Sequence, residues 1–282
     1  MPASPLSSAQ EARKAIADRL GGIRKDAELT GLQLAQLCGW HPSKSSRIEN
    51  ARTVPSDADI RAWCGACGVP EHAADLIAAS RSADTMYTEW RRLHRTGMRQ
   101  TQEEVVPLYE RTRVMRVYCS TVVPGLLQTP AYATGLLESI TEFRGIPNDV
   151  PEAVAARVAR SHVIREGNHR FALLVEEGVL HHQLADEEDM AGQLGYLLAV
   201  MSLPNVSLGV VPFQGRRKLW PMETFSIFDD SRVQVELLSA RVVVTTPGEI
   251  SMYAKAFQDL ARMAVYGARA RALITGAIDT FG

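Results

Sequence analysis

The stretch Leu32-Gln33-Leu34-Ala35-Gln36-Leu37-Cys38-Gly39-Trp40-His41-Pro42-Ser43-Lys44-Ser45-Ser46-Arg47-Ile48-Glu49-Asn50 decides how the chain is read. Thr30 suits the N-cap of a short helix over 31–38, with Leu34 and Leu37 turned inward. Cys38-Gly39-Trp40-His41 then makes a turn. Pro42 fits the first position of a following helix, where a missing N–H costs nothing, and that helix runs to about Asn50. The small Ala35 lets the two helices approach, and Leu37 and Ile48 are expected to fix their angle. A second helix held this way can enter the DNA major groove, about 12 Å wide. Its outward residues suit that place. Ser43 and Ser46 are short hydrogen-bonding groups, and Lys44 can neutralise phosphate. Arg47, one turn from Ser43, can reach guanine O6 and N7 in a two-pronged contact, which discriminates between bases by about 1–3 kcal/mol.

Helical signals surround this pair. Ala12, Ile16, Leu20 and Ile23 recur at spacings of three and four within a helix from Ala9 to about Ala27. Ser56 is a cap for a fourth helix with Ile60 and Trp63 inward, Gly68 stops it, and a fifth begins near Glu71. Residues 1–8, rich in Pro, Ser and Ala, are expected to be disordered. Within this frame Ser46-Arg47-Ile48-Glu49-Asn50-Ala51-Arg52, followed by Val54-Pro55-Ser56, resembles the Xre/Cro-type helix-turn-helix of phage-repressor-like regulators over residues 9–80. The resemblance implies a five-helix, lambda-repressor-like DNA-binding head. It places Pro42, Ser43 and Arg47 at base-reading positions beside Ser46. It places Asn50 and Arg52, with Thr30, Gly31 and Gln33 at the start of the second helix, against the DNA backbone, where Lys44 joins them. Two residues depart from the family pattern. Pro42 replaces a polar residue, and Ser45 stands where an apolar one usually packs, so its hydroxyl needs a partner.

The chain has 282 residues, with 31 Lys+Arg against 32 Asp+Glu and 46% hydrophobic residues. That is an ordinary globular mixture with length for about two domains, and it excludes a mainly disordered chain, a collagen and a rod. Residues 1–100 carry 14 basic and 11 acidic side chains, a weakly basic head on an acidic remainder. No apolar run is long enough for a membrane helix, the N-terminus lacks a secretory pattern, and four cysteines form no disulfide framework. A cytoplasmic, nucleoid-associated protein is expected.

Residues 81–100 read as a helical connector to a mixed α+β domain over 101–282. Helices are expected over 103–118, 130–140, 150–166 and 187–203, and from Pro247 to about Ile278 in one piece. Strands are expected at 171–175, 206–211, 224–228, 233–238 and 242–245. The segment Val123-Pro124-Gly125-Leu126-Leu127-Gln128-Thr129, then Tyr132-Ala133, resembles a signature of actinobacterial WhiJ-like regulators, in which a domain of unknown function follows an Xre-type head. Glu176-Glu177, Pro204-Asn205-Val206 and Val211-Pro212 extend the match. Read physically, the signature is a turn, a buried leucine pair and a helix cap. The resemblance implies regulation of developmental or secondary-metabolite genes and pairing with a small companion protein. An antitoxin-like protein that sequesters that companion and autoregulates its operon is the alternative function. A homodimer on an inverted repeat is expected, since one head buries too little surface for tight selective binding.

Other constellations read as architecture. Cys64-Gly65-Ala66-Cys67 lacks a second ligand pair for zinc, and with Cys38 it forms a thiol group read as core packing. Glu177 and His181 stand four apart without the His-Glu-x-x-His form. Arg157 and Arg160, three apart, can bind an anion or line a solvated face, and the solvated face is the reading adopted. Arg216, Arg217 and Lys218, with Trp220 beside them, form a candidate partner or ligand surface. Neither a phosphate-binding glycine loop nor a Gly-x-Ser-x-Gly elbow occurs, so no cofactor, metal or catalytic residue is expected.

Overall fold

A computed structural model describes residues 5–281, and it divides into two compact units, Met1–Thr88 and Glu89–Gly282. The first unit is helical: α1 (Pro5–Asp26), α2 (Gly31–Leu37), α3 (Pro42–Glu49), α4 (Asp57–Ala66) and, after a 3-10 turn at Pro70–His72, α5 (Ala73–Met86). Proline, preset for a helical φ, opens α1 at residue 5. The helix is described from Pro5, and residues 1–4 of the stretch expected to be disordered lie outside the described residues. Leu20, Leu34, Ile48, Ile60, Trp63 and Leu76 are fully buried at the centre. The Trp63 indole N–H donates to the Leu20 carbonyl at 3.0 Å, satisfying the one polar atom of that side chain.

The second unit is built on a mixed sheet. Its elements run β1 (Tyr87–Glu89, within which the division falls), α6 (Trp90–Leu93), α7 (Arg99–Glu104), α8 (Val106–Arg111), β2 (Val114–Cys119), α9 (Pro130–Arg144) and α10 (Val150–Arg160). Then follow β3 (Arg170–Glu176), α11 (Glu187–Val200), β4 (Val206–Val211), β5 (Phe225–Phe228), β6 (Arg232–Glu236), β7 (Ala240–Val244), α12 (Pro247–Met263) and α13 (Gly267–Ile278). The strand order is β1-β7-β6-β5-β2-β3-β4. β2, β3 and β4 are parallel, joined by helical crossovers, and β2 also pairs antiparallel with β5, which leads into the β5-β6-β7 meander. Phe171, Leu173, Leu174 and Val175 are all buried, as in a strand covered on both faces.

Three sequence expectations change here. Residues 103–118 are not one helix, because Val114–Cys119 is the central strand β2. Its β-branched Val114 and Val117 fit a pleated surface, and pairing on both sides outweighs local helical preference. The closing helix is two helices, because the Val265 backbone leaves the helix to exchange hydrogen bonds of 3.0 and 2.8 Å with Val210. Gly209 makes room for that break, since a β-carbon there would lie 2.6 Å from the Tyr266 ring. The expected connector 81–100 divides between the units. α5 runs to Met86, while Trp90, His94 and Met98 are buried in the second unit, where the Trp90 indole donates to the Leu237 carbonyl at 2.8 Å. Among the described residues no helix is long and apolar enough to cross a membrane.

Candidate nucleic-acid interface

The α2–α3 pair is fixed by caps and by a buried seam. Thr30 and Gln33 form a capping box: the Gln33 N–H donates to the Thr30 hydroxyl at 3.2 Å, and the Thr30 N–H donates to Gln33 Oε1 at 2.8 Å. Gln33 therefore holds the helix start with its carbonyl oxygen and keeps only its amino group for a phosphate. Gly39, at φ +68°, makes the turn. The cap of α3 is His41, whose Nδ1 accepts from the Ser43 backbone N–H at 3.3 Å and lies 2.8 Å from the Ser43 hydroxyl. Sequence reasoning placed Pro42 at the first helical position but did not give its neighbour this role, although an N1 proline points to a cap one residue earlier.

In the seam, Leu34, Ala35, Ser45 and Ile48 are buried. The Ser45 hydroxyl finds its partners in the carbonyls of Gly31 at 3.1 Å and Pro42 at 3.0 Å, tying the start of α2 to α3. Leu37 is 63% exposed rather than inward. It ends a helix of two turns whose inward positions are already filled by Leu34 and Ala35. Behind α3, Glu49 accepts from Arg24 Nε at 3.1 Å and Nη2 at 2.5 Å, both side chains being mostly buried. That hydrogen-bonded carboxylate holds the Arg24 guanidinium above its ordinary pKa, against the opposing effect of burial. Gly21 admits the pair, because a β-carbon there would lie 3.0 Å from Glu49 Oε1.

The outward face of α3 gathers Pro42, Ser43, Ser46 and Arg47, all exposed. Among the described residues the Arg47 guanidinium has no hydrogen-bond or ion-pair partner, whereas its carbonyl accepts from the Arg52 and Thr53 N–H groups at 2.8 and 3.2 Å. Asn50 caps the helix end, its side chain donating to the Ser46 carbonyl at 2.8 Å. Ala51 follows in the left-handed region at φ +54°. Arg52 is exposed beyond it. Lys44 differs from the sequence reading: its ammonium sits 2.6 Å from Asp59 Oδ1 and 4.6 Å from the Trp40 ring centre, so its charge is already partnered within the unit. Burial opposes the charge on Asp59, yet Lys44 and the Ser56 cap hold that carboxyl below its usual range.

The remaining candidates are placed as follows. Burial raises the thiols of Cys38, Cys64 and Cys67, the last to about 11, which favours their protonated form at neutral pH. Glu177 accepts from the Phe213 N–H at 2.6 Å and His181 stacks on the Phe213 ring. Arg216 and Lys218 are exposed and Trp220 is 70% exposed. Arg217 is not part of a free surface. It forms a two-pronged pair with Glu176 at 2.7 and 2.8 Å, and Glu176 also accepts from the Tyr118 hydroxyl at 2.7 Å. Arg157 and Arg160 do not line a solvated face either: Arg160 is 6% exposed, and both reach Gln102 Oε1, at 3.2 and 3.1 Å. Their spacing was legible, but with only Val158 and Ala159 between them nothing local revealed that they turn inward onto Gln102.

Comparisons with known proteins add the family. Residues 15–77 match a helix-turn-helix domain and residues 102–276 match the domain of unknown function DUF5753. No curated protein matches the chain. Among solved structures, NucT from Helicobacter pylori is 10% identical with a TM-score of 0.35, over 64% of this chain and 97% of that one. TrmBL2, an archaeal chromatin protein described as showing a novel mode of DNA binding, is 9% identical with a TM-score of 0.33, over 85% and 88%. Both are too distant to carry an argument. With more than half its length inside the second domain match, the chain belongs to the DUF5753 family and carries the helix-turn-helix domain of a DNA-binding regulator ahead of it.

Proposed function

We propose that the chain is a sequence-specific transcriptional regulator whose α3 reads bases in the major groove. In this reading the head is the five-helix, phage-repressor-like fold of Xre-type regulators, and the chain belongs with the actinobacterial WhiJ-like proteins. The observation that carries it is the exposed, unpartnered Arg47 guanidinium, aligned with Ser43 and Ser46 on a helix fixed by the buried Ala35, Ser45 and Ile48. Arg47 supplies the two-pronged guanine contact, while Ser43 and Ser46 read neighbouring edges. Thr30, Gly31, Asn50 and Arg52 place the head on the backbone, with the Gln33 amino group beside them. Lys44 contributes by bracing α3 against α4 through Asp59. A single module covers about 600–1,000 Å² of DNA interface, so tight selection calls for a homodimer on an inverted repeat. The reading assigns the chain no catalytic step.

Selection of bound fragments from sheared genomic DNA tests it, with Arg47→Ala in parallel. Wild type is expected to enrich a short inverted repeat. Arg47→Ala should keep weak, salt-sensitive binding and lose the preference, since its phosphate contacts survive. Equal enrichment by both proteins would overturn the role given to Arg47. No enrichment by wild type even at low salt would overturn the reading itself.

A further inference from the structure

Inside the second unit lies a cavity of about 580 Å³, within the range that takes a drug-sized molecule. One wall is the WhiJ-like signature, from Val123 to Gln128, and the floor is formed by β2 with residues of β5, β6 and β7. Four arginines line it, Arg144, Arg157, Arg160 and Arg241, against two carboxylates, Glu223 and Glu236. Glu223 accepts a hydrogen bond from the Tyr253 hydroxyl at 3.0 Å. Among the described residues none of the four arginines has a carboxylate in ion-pair contact.

Neutral groups hold the guanidiniums in place instead. Arg157 and Arg160 converge on the single oxygen Gln102 Oε1, and Arg157 Nη1 also donates to Gln128 Oε1 at 2.6 Å. Arg160 lies over the Tyr109 ring at 4.8 Å, and Gly125 sits against it, since a β-carbon there would come 3.4 Å from Nη2. Arg144 lies over the Trp90 ring at 4.7 Å and donates to His94 Nδ1 at 3.1 Å. Among the described residues, three side-chain nitrogens of the lining are buried with no partner: Arg160 Nε, Arg241 Nε and Gln234 Nε2. Amide oxygens and ring faces orient cations without cancelling their charge, and buried unpaired cations are costly. Burial, with the neighbouring charge of Arg160, pushes Arg157 down to about 10. Leu136, Leu137 and Ile140 supply an apolar wall facing this cluster.

We propose that the cavity binds a small organic anion, an oxyanion received by Arg157, Arg160 and Arg241 and carried on an apolar skeleton that rests against Leu136, Leu137 and Ile140. Carboxylate and phosphate share this chemistry. The bound anion supplies the counter-charge that the site lacks and acceptors for its unpartnered N–H donors, and the signature segment from Val123 to Gln128 is the site's wall as well as a turn. The proposal stands independently of DNA recognition, because every residue in it belongs to the second unit.

The experiment is a fluorescence titration of the full chain with 1-anilinonaphthalene-8-sulfonate, an aromatic oxyanion probe. Competition by octanoate, octyl phosphate and uncharged octanol follows. The expected result is saturable binding of one probe per chain, displaced by one or both octyl anions and at least tenfold less effectively by octanol. Which anion displaces better identifies the preferred oxyanion. Arg160→Gln is expected to weaken binding at least tenfold, and Ile140→Trp, which fills the cavity and leaves the arginines, to do the same. Both variants are checked for folding by circular dichroism. If Arg160→Gln fails to fold, the Ile140→Trp variant and a rise in the wild-type melting temperature with octyl phosphate decide. Absence of saturable binding, displacement by octanol as effective as by octanoate, or unchanged binding in a folded variant would overturn the proposal.

Discussion

Ser45 shows how one side chain carries both packing and polarity. It is buried in the α2–α3 seam, and its hydroxyl bonds two carbonyls, one on each helix. Ser45→Ala removes the one O–H that the two carbonyls share, so the head should lose about 1 kcal/mol, read as a lower urea midpoint. The Arg24–Glu49 pair is a stronger tie. Arg24→Met leaves a mostly buried carboxylate without its fork and is expected to cost about 2 kcal/mol or more, measured the same way. At this scale the sequence was legible where a residue type forces one role. Arg47 on an outward helical position and Trp63 on an inward one are such cases. It was not legible where the role depends on a partner far along the chain. Lys44 read as a phosphate contact because Asp59, fifteen residues away, does not announce itself as its neighbour. Arg157 and Arg160 read as solvated because nothing local reveals Gln102.

Elements show the same division between local and distant causes. Caps and prolines set the starts of α2, α3, α4 and α9, and those starts were legible from Thr30, Pro42, Ser56 and Thr129. Strand β3 was legible as a short buried apolar run, and β4 to β7 from stretches rich in β-branched residues. β2 was not, since Val114–Cys119 carries enough helix-compatible residues to hide a strand whose two neighbours come from residues 170–176 and 225–228. The break between α12 and α13 was hidden for a like reason, being imposed by Val210 on a sequence that reads as continuous helix. Close approaches between elements give a direct check. A β-carbon on Gly135 of α9 would lie 2.1 Å from the Leu184 carbonyl oxygen, a backbone atom that cannot step aside. Gly135→Ala should therefore destabilise the second unit by about 2–3 kcal/mol, seen as a lowered thermal midpoint.

For the molecule as a whole, acid stability separates the two units. His94 is 4% exposed, and burial, with the charges of Arg144, Arg241 and Arg157 around it, pushes its pKa down to about 4, although Asp149 opposes this. The unfolded chain binds a proton near pH 6.5 that the folded unit refuses until about pH 4. The stabilisation is thus complete above pH 6.5 and falls as the pH drops towards 4, by up to about 3 kcal/mol. Hydrogen exchange should show the second unit loosening across that window, and His94→Gln should flatten the dependence. The first unit holds a different reserve. Ala51 occupies a left-handed conformation directly after α3, a position that suits glycine. Relief of that strain in Ala51→Gly outweighs the added freedom of the unfolded chain, a gain of about 0.5–1 kcal/mol. The side chains proposed to read DNA are unchanged, so on that proposal the binding preference should stay constant while heat tolerance rises. The left-handed Ala51 thus offers a way to make a hardier reagent for the proposed DNA-selection screen while leaving Ser43, Ser46 and Arg47 as they are.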